Sequence, residues 1–270
     1  MSKFSIKEKI EGLIYYAYNI FSDCIFLTLK FKDRKLIRKN MKFKDIHKNK
    51  RCFILGTGPS LKNVNPKYLE GEITFGVNHL YKSELLKYII PTYYCLVDNK
   101  FLNEHSNITK KLVKEMKETT FFLRTETYTI FNTSTHAPVN VNYLYSKLYP
   151  VGKYKKNDIA KNSKATFNVV PECIKIAMYM GFTEIYLLGC DFNSFASINV
   201  EHCYDNENQK IISKRSRTLG EELKEYSIVS SIHYSLKEYA DANNISIINL
   251  TTNSLLDAYE KKNIEDVIIN

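Results

Sequence analysis

The chain has 270 residues, 44% of them hydrophobic, which is enough for one α/β domain with an ample core plus an appendage. Its formal charge of +10, from 39 Lys+Arg against 29 Asp+Glu, favours an anionic partner such as a membrane surface or a nucleotide sugar. Much of that excess falls within residues 28–51, so it is local and does not mark a nucleic-acid-binding face.

Residues 1–50 differ from the rest. Segment 4–30 is rich in large apolar residues, among them Ile6, Ile10, Leu13, Ile14, Ile20, Phe21 and Leu27, but Asn19, Ser22 and Asp23 interrupt it. The uninterrupted apolar stretch is too short to span a bilayer. A basic tract from Lys30 to Arg51 follows. An apolar helix beside a polybasic stretch has the composition of an interfacial membrane anchor. The alternative is a helix packed on the domain or in a homo-oligomer. The expected division is therefore a basic amphipathic helical segment over 1–50 and a catalytic domain over 51–270.

After residue 51 strands and helices alternate. Strand-like runs fall at 52–55, 73–77, 92–97, 119–123, 184–189 and 245–250, and helix-like segments near 79–88, 104–117, 166–180 and 220–243. In 166–180, Val169, Val170, Cys173, Ile174, Ala177 and Met178 recur at helical spacing and predict one apolar face. The alternation predicts an α/β fold: a Rossmann-like, mostly parallel sheet flanked by helices, with the N-terminal amphipathic appendage. Segment 124–165 reads as irregular. Segment 193–219 reads as a long polar loop suited to substrate binding.

The run Cys52-Phe-Ile-Leu-Gly-Thr-Gly-Pro-Ser60 carries the main motif. A short apolar strand enters a Gly-x-Gly turn, where Gly56 and Gly58 let the backbone approach a phosphate or sugar nucleotide closely. The same residues also fit a plain tight turn. Leu61 replaces the third glycine of a dinucleotide fingerprint, and no Gly-Lys-Ser/Thr occurs. Other polar residues follow later strands: Asn78, Asp98 with Asn99, and Gly189, Asp191 and Asn193. In a parallel sheet these ends share one edge, where short amides suit ribose, base and sugar hydroxyls. Asp98 and Asp191 are also candidates for a divalent metal, although neither stands in an Asp-x-Asp. His202, in the polar loop beyond Asp191, is the candidate general base, because an imidazole titrates near neutrality. His233 falls mid-helix and reads as structural. The six cysteines form no CxxC pair, and in a long chain without a secretory signal they read as reduced thiols of a cytosolic protein.

The series Gly-Thr-Gly-Pro-Ser, Gly-Val-Asn-His, Leu-Val-Asp, Gly-Phe-Thr-Glu-Ile-Tyr-Leu-Leu-Gly-Cys-Asp-Phe and the late Thr-Asn-Ser-Leu-Leu at 252–256 resembles a known group. It is similar to the bacterial sialyltransferases of glycosyltransferase family 42. It equally resembles the domain family named after archaeal 6-hydroxymethylpterin diphosphokinase, which includes flagellin-modifying motility accessory proteins. The resemblance implies a CMP-activated sugar bound at the strand ends without a required metal. It implies that Gly56, Thr57, Gly58, Pro59, Ser60 and Asn78 hold the donor, with Asp98 or Asn99 beyond the third strand and Thr166 and Asn168 opening the helix that faces it. Thr57 stands where Asn is usual. The sialyltransferase tyrosines that hold the leaving phosphate have Tyr204 as their nearest counterpart, and Asn193 follows Phe192 directly.

The resulting expectation is an inverting glycosyltransferase. It would move a nonulosonic acid, sialic acid or a relative, from a CMP-linked donor to a hydroxyl of a cell-surface glycan or glycolipid, as in lipopolysaccharide or capsule biosynthesis. It would be cytoplasmic and peripheral to the inner face of the cytoplasmic membrane. The alternatives are a pterin diphosphokinase-like transferase needing ATP and Mg²⁺, and a non-catalytic sugar-nucleotide-binding protein.

Overall fold

The computed structural model describes residues 3–98, 104–131, 138–150, 152–154, 158–196, 201–204 and 218–268. Within them, β1 (Arg51–Leu55), β2 (Thr74–Val77), β3 (Tyr93–Leu96), β4 (Thr120–Arg124), β5 (Val141–Ser146), β6 (Asn162–Ser163), β7 (Glu184–Leu188), β8 (Ser246–Asn249) and β9 (Glu260–Lys261) form one sheet. Its order is β6-β5-β4-β3-β2-β1-β7-β8-β9, and every pairing is parallel. The helices are α1 (Lys3–Thr28), α2 (Phe31–Arg38), α3 (Ser106–Glu115), α4 (Val169–Tyr179), α5 (Leu219–Ala242) and α6 (Glu265–Ile268). The expected Rossmann-like α/β class is what the chain adopts.

The central strands are apolar throughout because both faces of the sheet are covered. In β1, Cys52 and Ile54 join Phe75, Cys95 and Leu187 against Cys173, Ile176 and Ala177 of α4. Phe53 and Leu55 point the other way, into a second cluster with Tyr94, Leu123 and the α3 residues Leu112 and Val113. Strand periodicity of two places alternate residues in these separate layers.

Four expectations need correction. The helix anticipated over 79–88 is two short 3₁₀ turns, Asn78–Lys82 and Glu84–Lys87. Ser83 divides them, its hydroxyl accepting from Leu85 N–H at 3.3 Å, as a serine does at a cap. Segment 124–165 is not wholly irregular, for it contains β5 and β6; polar Asn142 and Ser146 interrupt the apolar pattern although both are buried. α4 is buried almost all round instead of along one stripe, and Glu172 and Lys175 are taken inside as an ion pair at 2.6 Å. Finally, packing does not change at residue 50. Ile37, Asn40 and Phe43 are buried in the domain, and Asn40 donates to Tyr143 O at 2.7 Å and Ile159 O at 3.0 Å.

The chain then runs over the end of α4, where His47 N–H donates to Met180 O at 2.8 Å and Asn49 N–H to Gly181 O at 3.2 Å. Gly181 has φ +87°, and a Cβ there would come within 3.1 Å of Asp45 Cα. α1 lies against the β5–β6 end of the sheet. Its interrupting polar residues are the contacts: Asn19 Nδ2 donates to Tyr149 O at 2.9 Å, and Asp23 receives Lys147 Nζ at 2.6 Å. Tyr15 stacks on Tyr149 with ring centroids 4.4 Å apart.

Candidate active site at the sheet switch point

β2 lies on one side of β1 and β7 on the other, so a crevice opens outside their carboxyl ends. The Gly56–Ser60 turn leaves β1 there, and the Gly189–Asn193 turn leaves β7. The two turns interlock. Gly56 N–H donates to Leu188 O and Gly58 N–H to Gly189 O, each at 2.8 Å. Ser60 Oγ donates to Asp191 Oδ2 at 2.7 Å. A Cβ on Gly58 would fall 1.8 Å from Asp191 Oδ2 and 2.7 Å from Gly189 O, and one on Gly56 2.4 Å from Gly189 O. The glycines are thus required by the meeting of two protein turns, not by ligand approach. Their N–H groups are already bonded, so the expected use of these donors for a phosphate is corrected.

A second layer holds the β7 turn. Cys190 N–H donates to Thr251 Oγ1 at 3.1 Å, Ser254 Oγ to Cys190 O at 2.6 Å, and Leu255 N–H to Asp191 O at 2.9 Å. The Thr-Asn-Ser-Leu-Leu segment is therefore scaffolding for the site. Asn78, Phe167 and Phe192 have φ of +40°, +53° and +55°, so three non-glycine residues around this edge take the left-handed region. Such outliers gather at functional sites.

Most of the residues anticipated from sequence converge. Gly56, Thr57, Gly58, Pro59, Asn78, Asn168, Gly189, Asp191, Asn193 and His202 line one cleft of about 260 Å³. An adjoining cavity of about 580 Å³ shares Asn78 and Asn168 and adds Asp98, Arg124, Thr166, Glu172 and Glu225. Several roles differ from expectation. Ser60 is bonded to Asp191, which is 9% exposed and holds the β1 turn in place. Thr166 donates to Glu172 Oε2 at 2.6 Å. Asn168 caps α4, its Oδ1 accepting from Val170 N–H at 3.0 Å, which leaves its amide NH₂ at the cleft. Asn78 Oδ1 is shielded from solvent without a hydrogen-bond partner. Asn99 lies outside the described residues, as does most of the 193–219 loop. Among the described residues no three His, Cys, Asp or Glu side chains cluster as a metal site, and the six cysteines are free thiols.

His202 reaches the cleft because its neighbours are clamped. Cys203 N–H donates to Thr57 O at 3.0 Å, and the Cys203 side chain is buried. The His202 ring stacks on Tyr204 at 5.0 Å and 16°. Tyr204 in turn meets His79 at 5.9 Å and lies under Lys82 Nζ at 5.4 Å. Tyr204 lines a neighbouring cavity with Leu61, Lys82 and Cys203 and does not line the turn cleft. His79 is pushed down to about 4, first by burial and then by Lys82, His105 and His202.

His233 is buried as expected. Its Nδ1 is 2.9 Å from Tyr259 OH, and burial pushes its pKa down to about 3. It nevertheless reaches the cleft lining. Tyr226 and Ser194 also line the cleft and hydrogen-bond to each other, with Phe192 and Phe195 each 4.7 Å from the Tyr226 ring. Tyr226 was not anticipated. Its only signal is position on the helix after the polar loop.

Fold and site together define an α/β protein with a polar cleft at the switch point of a parallel sheet. The profile of the family described as 6-hydroxymethylpterin diphosphokinase MptE-like matches residues 31–195, more than half of the chain, and the chain belongs to that family. No curated protein sequence matches it. Among solved structures, the fold is similar to the MAf glycosyltransferase from Magnetospirillum magneticum AMB-1, at 13% identity and a TM-score of 0.50 over 87% of this chain. The chain spans only 38% of that protein's length. The sialyltransferase CstII from Campylobacter jejuni, in complex with the substrate analogue CMP-3FNeuAc, gives 15% identity and a TM-score of 0.47, covering 78% of this chain and 85% of that one. Its complex with a trisaccharide acceptor and CMP gives 17% and 0.46 over the same shares.

Proposed function

We propose that this chain is an inverting glycosyltransferase that takes a nonulosonic acid from a CMP-linked donor. The observation that carries the reading is the cleft itself. Thr57 and Asn193 of the two interlocked strand-end turns, Asn78 beyond β2 and Asn168 at the cap of α4 surround one volume, with His202 in its lining. These groups suit ribose, base and sugar hydroxyls. The acceptor hydroxyl attacks the anomeric carbon as the bond from that carbon to the phosphate oxygen breaks. His202 takes the hydroxyl proton and CMP leaves. The likeness in fold to a glycosyltransferase and the sequence motifs support this reading. Incubation with CMP-sialic acid and a glycan, with and without EDTA, tests it: EDTA-resistant release of CMP is expected, and no release with any acceptor contradicts it.

The family's name favours a second reading, an ATP- and Mg²⁺-dependent diphosphokinase acting on a pterin-like alcohol. It needs carboxylates to place the metal, and Asp191 is already bonded to Ser60. Metal-requiring turnover of ATP in the same assay would select it.

α1 supports a location on the cytoplasmic face of an anionic membrane. Once Asn19 and Asp23 are docked on the domain, Leu13, Ile14, Tyr16, Ile20, Phe21 and Leu27 remain exposed. The tract from Lys30 to Arg51 supplies charge complementary to acidic lipid. No single described helix is long and apolar enough to cross a bilayer.

A further inference from the structure

The cavity beside the turn cleft carries a cation that makes no ion pair among the described residues. Arg124 ends β4 on the same face of the strand as Phe122, toward α4, and lines the 580 Å³ cavity. Its backbone is fixed by pairing with Leu144 and by Thr127 Oγ1, which donates to Arg124 O at 2.6 Å. Among the described residues its guanidinium makes no hydrogen bond or ion pair, and its Nε is shielded from solvent with no acceptor.

The other charges of this cavity are accounted for. Glu172 receives Lys175 Nζ and Thr166 Oγ1, each at 2.6 Å. Lys175 also donates to Ser163 Oγ at 3.0 Å and to Lys164 O at 2.9 Å. Asp98 and Glu225 each have an interaction of their own. Arg124 stands close enough to act on Lys175, whose pKa is lowered chiefly by burial and further by this second cation. A partly desolvated cation without a partner is costly. A planar fork of five donors matches an oxyanion bound through two parallel hydrogen bonds, a carboxylate or a phosphate; beyond the nucleotide cleft, the anionic group of a sugar acid is its carboxylate. The amino end of α4, opening on the same cavity, adds positive potential.

We infer that Arg124 is the carboxylate anchor of a sugar-acid subsite in this cavity. The subsite adjoins the proposed nucleotide cleft through Asn78 and Asn168. Its connection to a donor or acceptor rests on the proposed glycosyl transfer, but its chemistry does not. The carboxylate belongs either to the activated sugar or to an anionic sugar on the acceptor.

Binding to the full chain is measured by calorimetry and saturation-transfer NMR. The probes are CMP, CMP-sialic acid, sialyllactose, and the methyl glycoside of sialic acid with its methyl ester. The wild type prefers the acid to the ester. Arg124→Gln lowers affinity for the acid about 10- to 100-fold, the worth of a lost charged hydrogen-bond pair, abolishes that preference and leaves CMP affinity unchanged. Arg124→Lys keeps the charge, loses the fork and falls between, which preserves the test if Arg124→Gln fails to fold. A loss confined to CMP-sialic acid assigns the carboxylate to the donor, and one confined to sialyllactose to the acceptor. Either supports the subsite. If wild type binds no CMP while acid preference still follows Arg124, the nucleotide reading fails and the subsite stands. A wild type indifferent to esterification, or an unchanged preference in a folded Arg124→Gln protein, overturns it.

Discussion

Replacing Gly58 by alanine probes the joint between the two strand-end turns. The added Cβ would sit 1.8 Å from Asp191 Oδ2 and 2.7 Å from Gly189 O, so both the carboxylate and the β7 turn must shift. φ at Gly58 is −67°, so the penalty is steric and not one of backbone handedness. Overpacking of this kind costs about 1–3 kcal/mol. Displacing Asp191 also breaks its bond to Ser60 Oγ at 2.7 Å, and a hydrogen bond to a charged group is worth about 1.5–3 kcal/mol. The single substitution should therefore cost roughly 3–6 kcal/mol, a large share of the ~5–15 kcal/mol that holds a typical domain folded. Asp191→Ala removes the nearest obstacle. Gly58→Ala in that background should then cost at least about 1 kcal/mol less than alone, the clash with Gly189 O remaining. Urea denaturation of the four proteins measures this coupling. Additive effects within about 0.3 kcal/mol would refute the interlocked-turn account.

His202→Ala should lower turnover by about 10²–10⁴-fold, the usual worth of a general base, with CMP affinity nearly unchanged; retained turnover would show that the proton goes elsewhere. Deleting residues 3–28 should release the protein from vesicles of acidic lipid and spare activity on soluble acceptors, whereas undiminished vesicle binding would show that α1 serves another contact. His233 predicts an acid-stability effect. Its folded pKa of about 3 lies below the ordinary 6.5, so the unfolded chain binds more protons in between. The stabilisation is complete above about pH 6.5, falls as pH drops and is gone near pH 3, up to about 5 kcal/mol in all. His233→Gln should flatten denaturation midpoints across that window, and an unaltered pH profile would contradict the assignment.

The sheet was legible because its central strands are uniform: Cys52–Leu55 and Ile185–Leu188 are buried on both faces and read as unbroken apolar runs. The last two strands at one end were not, since β5 mixes Asn142 and Ser146 with Tyr143 and Leu144, and β6 has only two residues. The strand-end residues were found by one rule, that carboxyl ends of parallel strands share an edge. That rule locates Gly58 and Asp191 but does not show that they touch each other. Arg124 and Tyr226 were missed for a related reason. A charged residue ending a strand and a tyrosine in a helix carry no local signature, and only the fold brings them to the cavities. Glu172 and Lys175 lie off the apolar stripe that the 166–180 spacing predicts, and they form a buried ion pair.

The most direct measurement is a crystal structure of the full chain soaked with CMP or a non-transferable CMP-sugar. The account predicts the nucleotide in the switch-point cleft, with Asn78, Asn168 and Thr57 on its polar groups and the sugar directed toward Arg124. A nucleotide bound away from the β1 and β7 turns, or a triphosphate held there through a metal on Asp98 or Asp191, would contradict it.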